Sequence, residues 1–268
     1  MNSNTESFLN LRFFDDLSAK RTFVHSIHPL FSLIVACLYL FSVISVEKYA
    51  LSRLFPLVLY PFIIIPLAEI PFLKLLKRTV YVLPLVIGIG IFNPLFDNQE
   101  MLIAQGISIN AGWISFAVLV IKAELAVLGA LILFATTGIV NIAYALRLLR
   151  VPRFFVLQLL LTYRYITLMN LETARLLNAY ALRAPDQKGI AMKAWGPLAG
   201  QLLIRTFDAA THVYHAMKLR GFDGEYRSGR RFSVSFKDFA YAISWLGFFI
   251  LVYFFDISGF LGSLFTGG

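Results

Sequence analysis

The stretch RFFVLQLLLTYRYITLMNLETARLLNAYALR, Arg153–Arg183, decides how the rest of the chain is read. It holds no internal Pro or Gly, so nothing in it breaks a helix. Its first half is mostly apolar (Phe154, Phe155, Val156, Leu157, Leu159, Leu160, Leu161). Its second half carries Glu172, Arg175 and Arg183, and Ala184-Pro185 ends it. A second helix is predicted from about Pro197 to Arg220. There Gln201, Arg205, Asp208, His212 and His215 form one stripe, and Leu203, Phe207, Ala210, Tyr214 and Met217 form another. That is the 3.6-residue period of an amphipathic helix, and Gly221 stands where a C-terminal cap belongs. The surrounding segment, Asn141–Asp238, has 15 of the 24 Lys and Arg residues and six of the 15 acidic ones. Its net charge of +9 is the excess of the whole protein. It reads as too polar to cross a bilayer.

The remainder is membrane-grade. The chain has 268 residues, 59% hydrophobic and 15% charged, against about 25% charged in a soluble domain. Five apolar runs approach the length of a bilayer span: about Leu30–Val46, Leu54–Phe72, Val80–Phe96, Trp113–Val140 and Phe239–Phe255. The second contains Pro56, Pro61, Pro66 and Pro71, so a kinked or partly unwound helix is expected. Charge in the connections sets orientation. Arg12, Lys20 and Arg21 precede the first run, and Lys74, Lys77 and Arg78 follow the second. Asp97–Gly112 contains no Lys or Arg, the basic segment follows the fourth run, and the tail after Phe255 is free of basic residues. The N-terminus and the basic segment are therefore placed in the cytoplasm and the C-terminus outside, in the cell (inner) membrane. Only Lys48 and Arg53, in the turn after the first run, are discordant. The expected architecture is all-α: a polytopic membrane protein with about five transmembrane helices and two long cytoplasmic helices. Its parts are 1–140 (four spans), 141–238 (the cytoplasmic helices) and 239–268 (the last span and tail).

Several chemistries are excluded or weighed. Cys37 is the single cysteine, so disulfides and thiolate clusters are out. No Gly-x-x-x-x-Gly-Lys-Ser/Thr loop is present, so this chain does not hydrolyse ATP, and no Gly-x-Ser-x-Gly nucleophile motif occurs. The basic excess is read as positive-inside bias rather than nucleic-acid binding. His25/His28 and His212/His215 have a spacing of three that could share a metal on a helix face, but no Cys or carboxylate set completes them; no metal site and no cofactor are assigned. Lys122 and Glu124 lie inside the fourth run. They are either a contact to another subunit or an internal polar arrangement. Arg183 and Arg220 close the two cytoplasmic helices. Each either complements the helix dipole or presents a planar fork of donors to a partner's carboxylate.

The motifs Ala135-Thr136-Thr137, Ala145-Leu146-Arg147-Leu148-Leu149-Arg150-Val151-Pro152, Leu161-Thr162-Tyr163-Arg164-Tyr165 and Ala216…Arg220-Gly221-Phe222 occur in this order. With Ser26-Ile27-His28-Pro29 ahead of them, they make the chain resemble the transmembrane (T) component of energy-coupling factor transporters, in its cobalt/nickel (CbiQ-type) branch. The resemblance implies a non-catalytic scaffold in an ATP-driven importer. Two long coupling helices would dock on two ABC-type ATPases, and a separate substrate-binding S component would share the bilayer. The docking motifs fall on Leu182-Arg183-Ala184 and on Ala216 with Leu219-Arg220-Gly221. The first departs from the family pattern, because Ala184-Pro185 stands where Arg-Gly is usual. Alternatives are a T component serving vitamin-binding S components, a permease with its own substrate site, or a membrane-embedded enzyme using Lys122, Glu124 and the histidines.

Overall fold

A computed structural model describes residues 16–20, 22–97, 100–103, 107–185, 189–224 and 232–254. Arg12, Arg21 and the tail from Phe255 on, which the orientation reading used, lie outside these residues, as do Asp186 and Glu225. The chain divides into two compact units. One holds the described residues of 15–142 and those from Phe232 on. The other holds those of 143–231.

The first unit is a bundle of alternating passes. Helix α1 (Pro29–Ser45) follows a 3-10 turn at Val24–Ser26. The His28 Nδ1 atom accepts from the Leu30 amide at 3.3 Å and caps α1, and Pro29 occupies the first helical position, where its missing N–H costs nothing. The chain returns through α2 (Leu51–Leu54), a 3-10 turn at Pro56–Val58 and α3 (Leu59–Leu67). The second expected span is thus in pieces: Pro56 opens the 3-10 turn and Pro71 stands ahead of the helix that starts at Phe72, while Pro61 and Pro66 lie within α3. Glu69 then takes a left-handed φ of 52°. Its carbonyl accepts from Lys20 Nζ at 2.7 Å.

The third pass corrects the sequence reading. Lys74, Lys77 and Arg78 sit on a helix, α4 (Phe72–Thr79), rather than in a connecting loop. It continues after a 42° bend into α5 (Leu83–Gly90) and α6 (Phe92–Phe96). The bend coincides with Val80-Tyr81-Val82 and with Pro84 in the next turn, a residue that cannot donate to the preceding helix. The Asp97–Gly112 connection holds an antiparallel pair, β1 (Glu100–Ile103) and β2 (Ile107–Asn110), the only strands among the described residues.

Helix α7 (Ala111–Thr137) is the spine of the bundle. The Asn110 side chain caps it by accepting from Gly112 N at 2.8 Å. It ends before Gly138, and α8 (Ile139–Leu148) continues beyond the break. Near the start of α7, Ser115 Oγ accepts from Asn93 Nδ2 at 3.1 Å. Further along, Gly129 lies against Tyr39 of α1, where a Cβ would come within 2.5 Å of the ring. Lipid offers no hydrophobic drive between helices, so association rests on such close approaches.

The last helix, α11 (Phe236–Phe254), runs alongside α1 in the same direction. Phe31 meets Phe239 at 5.0 Å between ring centroids and Tyr39 meets Phe249 at 5.8 Å. Asp238 ties their first turns together: one carboxylate oxygen accepts from His28 N (2.8 Å), the other from Ser235 N (2.7 Å). The bundle centre is aromatic. Tyr39, fully buried, stacks on Tyr60 at 4.4 Å, and Tyr60 meets Trp245 edge-on at 4.8 Å; each such pair contributes about 0.5–1.5 kcal/mol beyond area burial.

The second unit consists chiefly of two long helices, α9 (Arg153–Arg183) and α10 (Met192–Leu219). α9 has the predicted bounds. α10 starts five residues earlier than expected, at Met192, and carries Pro197 inside it. By length and composition α7, α9 and α11 could each cross a membrane, and α4 with α5 and α6 could form a fourth, bent span. The chain is thus an all-α polytopic membrane protein. The inclusion of α9 departs from the reading of 141–238 as too polar to span. Its mostly apolar first half, Phe154–Leu161, offsets the charges of the second.

Candidate functional site

Among the described residues α9 buries only Val156 and α10 buries none. Their apolar stripes are half-buried or exposed, and polar contacts tie the two helices together. The α9 carboxylate of Glu172 receives Arg205 of α10 on one oxygen and Arg175, one turn along α9, on the other at 3.4 Å. Beside it, the Thr206 hydroxyl donates to Met169 Sδ at 3.2 Å. At the turn between the helices, Ala191 N donates to the Tyr180 hydroxyl at 3.2 Å. So α10 begins beside the last turns of α9, crosses it near Glu172 and runs back.

This crossing sets the positions of the two arginines. Arg183 lies about 11 residues beyond Glu172 and Arg220 about 15 beyond Arg205, or roughly 17 and 22 Å at the helical rise. They end opposite arms and stand up to about 40 Å apart.

The two ends share a doublet and differ in their caps. Leu182-Arg183 finishes α9 and Leu219-Arg220 finishes α10. Leu182 is 84% exposed and Leu219 88% exposed, and both arginines are exposed. At the α10 end, Phe222 N donates to Met217 O and Gly221 N to Lys218 O, both at 3.0 Å, and Arg220 N donates to the carbonyls of Ala216 (3.3 Å) and Met217 (3.1 Å). Gly221 has φ +73°, the left-handed conformation that only glycine adopts without steric cost. This is a Schellman cap, and it fixes the direction in which Arg220 leaves the helix. At the α9 end, Ala184 (φ −134°) donates to Tyr180 O at 3.1 Å, and Pro185 has no N–H to close a second bond.

Lys122 and Glu124 separate. Lys122 Nζ donates to Ile44 O at 2.9 Å and to Val46 O at 2.5 Å. It caps the C-terminal carbonyls of α1, so its charge meets the negative end of a helix dipole. Glu124 is half-buried on the same helix and takes no part in that cap. Close by, Asp97 accepts from Lys48 Nζ (3.3 Å) and from the Tyr49 hydroxyl (2.5 Å).

The histidines take different places. His25 Nδ1 meets the Thr22 hydroxyl at 2.7 Å, and burial holds the ring below its ordinary pKa. His28 serves as the α1 cap, while His212 and His215 are exposed on α10. Among the described residues no three His, Cys, Asp or Glu side chains are grouped to hold a metal.

The family model of the CbiQ cobalt transport proteins matches residues 20–233. The chain belongs to the CbiQ family. Members of this family are membrane components of cobalt transporters. The match begins ahead of α1 and runs through α10 with both arm ends, stopping just before α11. Two curated relatives are uncharacterized proteins. MJ1571 of Methanocaldococcus jannaschii is 26% identical over 66% of this chain and 64% of its own length. The MG181 homolog of Mycoplasma pneumoniae is 28% identical over 46% of this chain and 30% of its own length. The chain therefore covers less than two thirds of either relative.

Three tertiary contacts of this CbiQ-family chain are not apparent from helix spacing in the sequence. The Glu172–Arg205 pair joins two helices, so no spacing on one helix reveals it. The Lys122 cap is likewise tertiary. The Asp238 tie had a local signal, because Ser235-x-x-Asp238 ahead of an apolar run is a capping box.

Proposed function

We propose that this chain is the coupling subunit of an ATP-driven importer of cobalt or nickel ions. Its crossed arms α9 and α10 dock on two ABC-type ATPases through Leu182-Arg183-Ala184 and through Ala216 with Leu219-Arg220-Gly221. ATP binding draws the ATPases together and changes the angle between the arms. That movement passes to the bundle and to a separate S component in the bilayer, which holds the ion. In this arrangement the arms face the cytoplasm, and this chain supplies neither nucleotide nor metal chemistry.

The observation that carries this reading is the repeated exposed Leu-Arg doublet at the ends of two crossed helices. An exposed apolar side chain beside a guanidinium suits a groove with an acidic wall, and two copies on opposite arms suit a paired partner. The dipole alone would favour a terminal cation, but it does not account for two nearly fully exposed leucines.

Affinity purification from native membranes tests it. Wild-type chain should bring down two ATPase subunits and a small membrane partner. Arg220→Glu should reduce ATPase recovery about 100-fold, the effect of opposing a desolvated charge, while the chain stays in the membrane fraction. Full recovery of ATPases with both Arg183→Glu and Arg220→Glu in place would refute the docking assignment. A vitamin-binding membrane partner would refute the ion assignment alone.

A further inference from the structure

We infer that the Glu172–Arg205 pair is the pivot on which the two arms turn, with Arg175 as the residue that aims the Glu172 carboxylate. This rests on the reading of the arms as levers driven by ATPases. Packing at the crossing is shallow: neighbours such as Met169, Leu202 and Ala209 are only half-buried, α10 has no fully buried residue, and the single fully buried residue of α9, Val156, lies at the far end of that helix. What holds the crossing is a carboxylate with only 17% of its side chain exposed, engaged on both oxygens, facing an arginine 47% exposed. Interdigitated ridges would lock a crossing angle. An ion pair beside one hydroxyl–sulfur contact pins a point and leaves the angle free.

The surroundings have room for such rotation. A hollow of about 350 Å³ flanks the pair, lined among others by Tyr165, Leu168, Asp208 and Ala209. Asp208 lies three residues after Arg205 on the same helix and borders the same hollow. It offers Arg205 a second acceptor when Glu172 swings away, which gives the crossing two discrete arrangements. Glu172 is thus a positioning residue: it touches neither ion nor nucleotide, and it makes the two arm ends move as one lever.

The test uses the full complex in lipid nanodiscs for distances and in proteoliposomes for Co²⁺ uptake. Spin labels replace the exposed Phe154 and Met192, one on each arm, in a Cys37→Ala background. Pulsed EPR should give two separate distances, without and with ATP. Glu172→Arg should broaden both into one wide distribution and lower Co²⁺ uptake per ATP hydrolysed about tenfold, within the usual range of coupling free energies, with both ATPases still bound. The exchange Glu172→Arg/Arg205→Glu should restore two distances and the coupling ratio. Unchanged distances and coupling in Glu172→Arg overturn the pivot, and so does an exchange variant that binds its ATPases yet stays uncoupled. Retention of ATPases by Arg220→Glu would instead overturn the lever reading, a result distinct from either.

Discussion

Helices α7 and α9 are of similar length and fare oppositely. α7 buries eleven residues along its course, from Ala111 to Thr137. α9 buries Val156 alone, although its first half is as apolar as a membrane span. The difference lies in neighbours rather than in propensity. α7 meets Tyr39 at Gly129, Asn93 at Ser115 and the α1 carbonyls at Lys122. α9 meets α10 at the Glu172–Arg205 pair and the adjacent Thr206–Met169 contact. A helix that satisfies itself within the chain is scaffold, whereas one that leaves its apolar stripe half-buried or exposed and a terminal Leu-Arg bare is built for surfaces the chain does not provide. Substitutions in the bundle should therefore act on stability, and substitutions on the arms should act on partner binding.

The largest effect expected is in the bundle. Gly129→Leu would drive a side chain into the Tyr39 ring, where even a Cβ sits 2.5 Å away. Overpacking of this kind costs about 1–3 kcal/mol. Thermal unfolding in detergent should fall by several degrees, while the protein that remains folded keeps its ATPases. A loss of ATPases from folded Gly129→Leu protein would break the division between scaffold and arms.

Gly221→Val sharpens the contrast between the two arm ends. A non-glycine residue held at φ +73° costs roughly 1–2 kcal/mol, so the α10 end should splay and ATPase affinity fall about tenfold. Melting of the bundle should hardly change, because the strain is relieved by local fraying of the exposed α10 end. Ala184→Val on the other arm, at φ −134°, carries no such backbone strain and should cost less than Gly221→Val in the same titration. Equal losses from the two would mean that the Schellman cap has no bearing on docking.

The smallest effect concerns pH. Burial, with a smaller contribution from Lys20, depresses the His25 pKa, and the Leu17 and Ala135 carbonyls only partly oppose this. The fold therefore favours neutral imidazole, and the unfolded chain takes up the proton first as pH falls. Stability from this group is complete above the ordinary histidine pKa and declines on acidification below it. His25→Gln should flatten the dependence of melting temperature on pH between about 7 and 5.5. ATPase binding should not follow that change.

Much of this division was legible in the sequence. The unbroken run from Arg153 to Arg183 set the first arm at both ends, and Gly221 announced the cap of the second. Apolar runs gave five alternating passes. The prolines signalled a broken second pass, but its pieces depended on which backbone donors neighbours could satisfy. The bend after Thr79 stayed hidden because Val80-Tyr81-Val82 is apolar enough to continue a span. Lys122 looked like an isolated intramembrane charge because its partners, the α1 carbonyls, are set by helix packing and not by sequence spacing. The polar tie between the arms is invisible for the same reason, being a meeting of two helices at a single point.

The most direct measurement places a photoreactive amino acid at Leu182, at Leu219, and at both, in the complex within native membranes. Each single position should crosslink to an ATPase subunit, and the double variant should give one species carrying two. Crosslinks from both positions to lipid or to other membrane chains, with ATPases captured elsewhere on the molecule, would contradict the assignment of the arm ends as docking points.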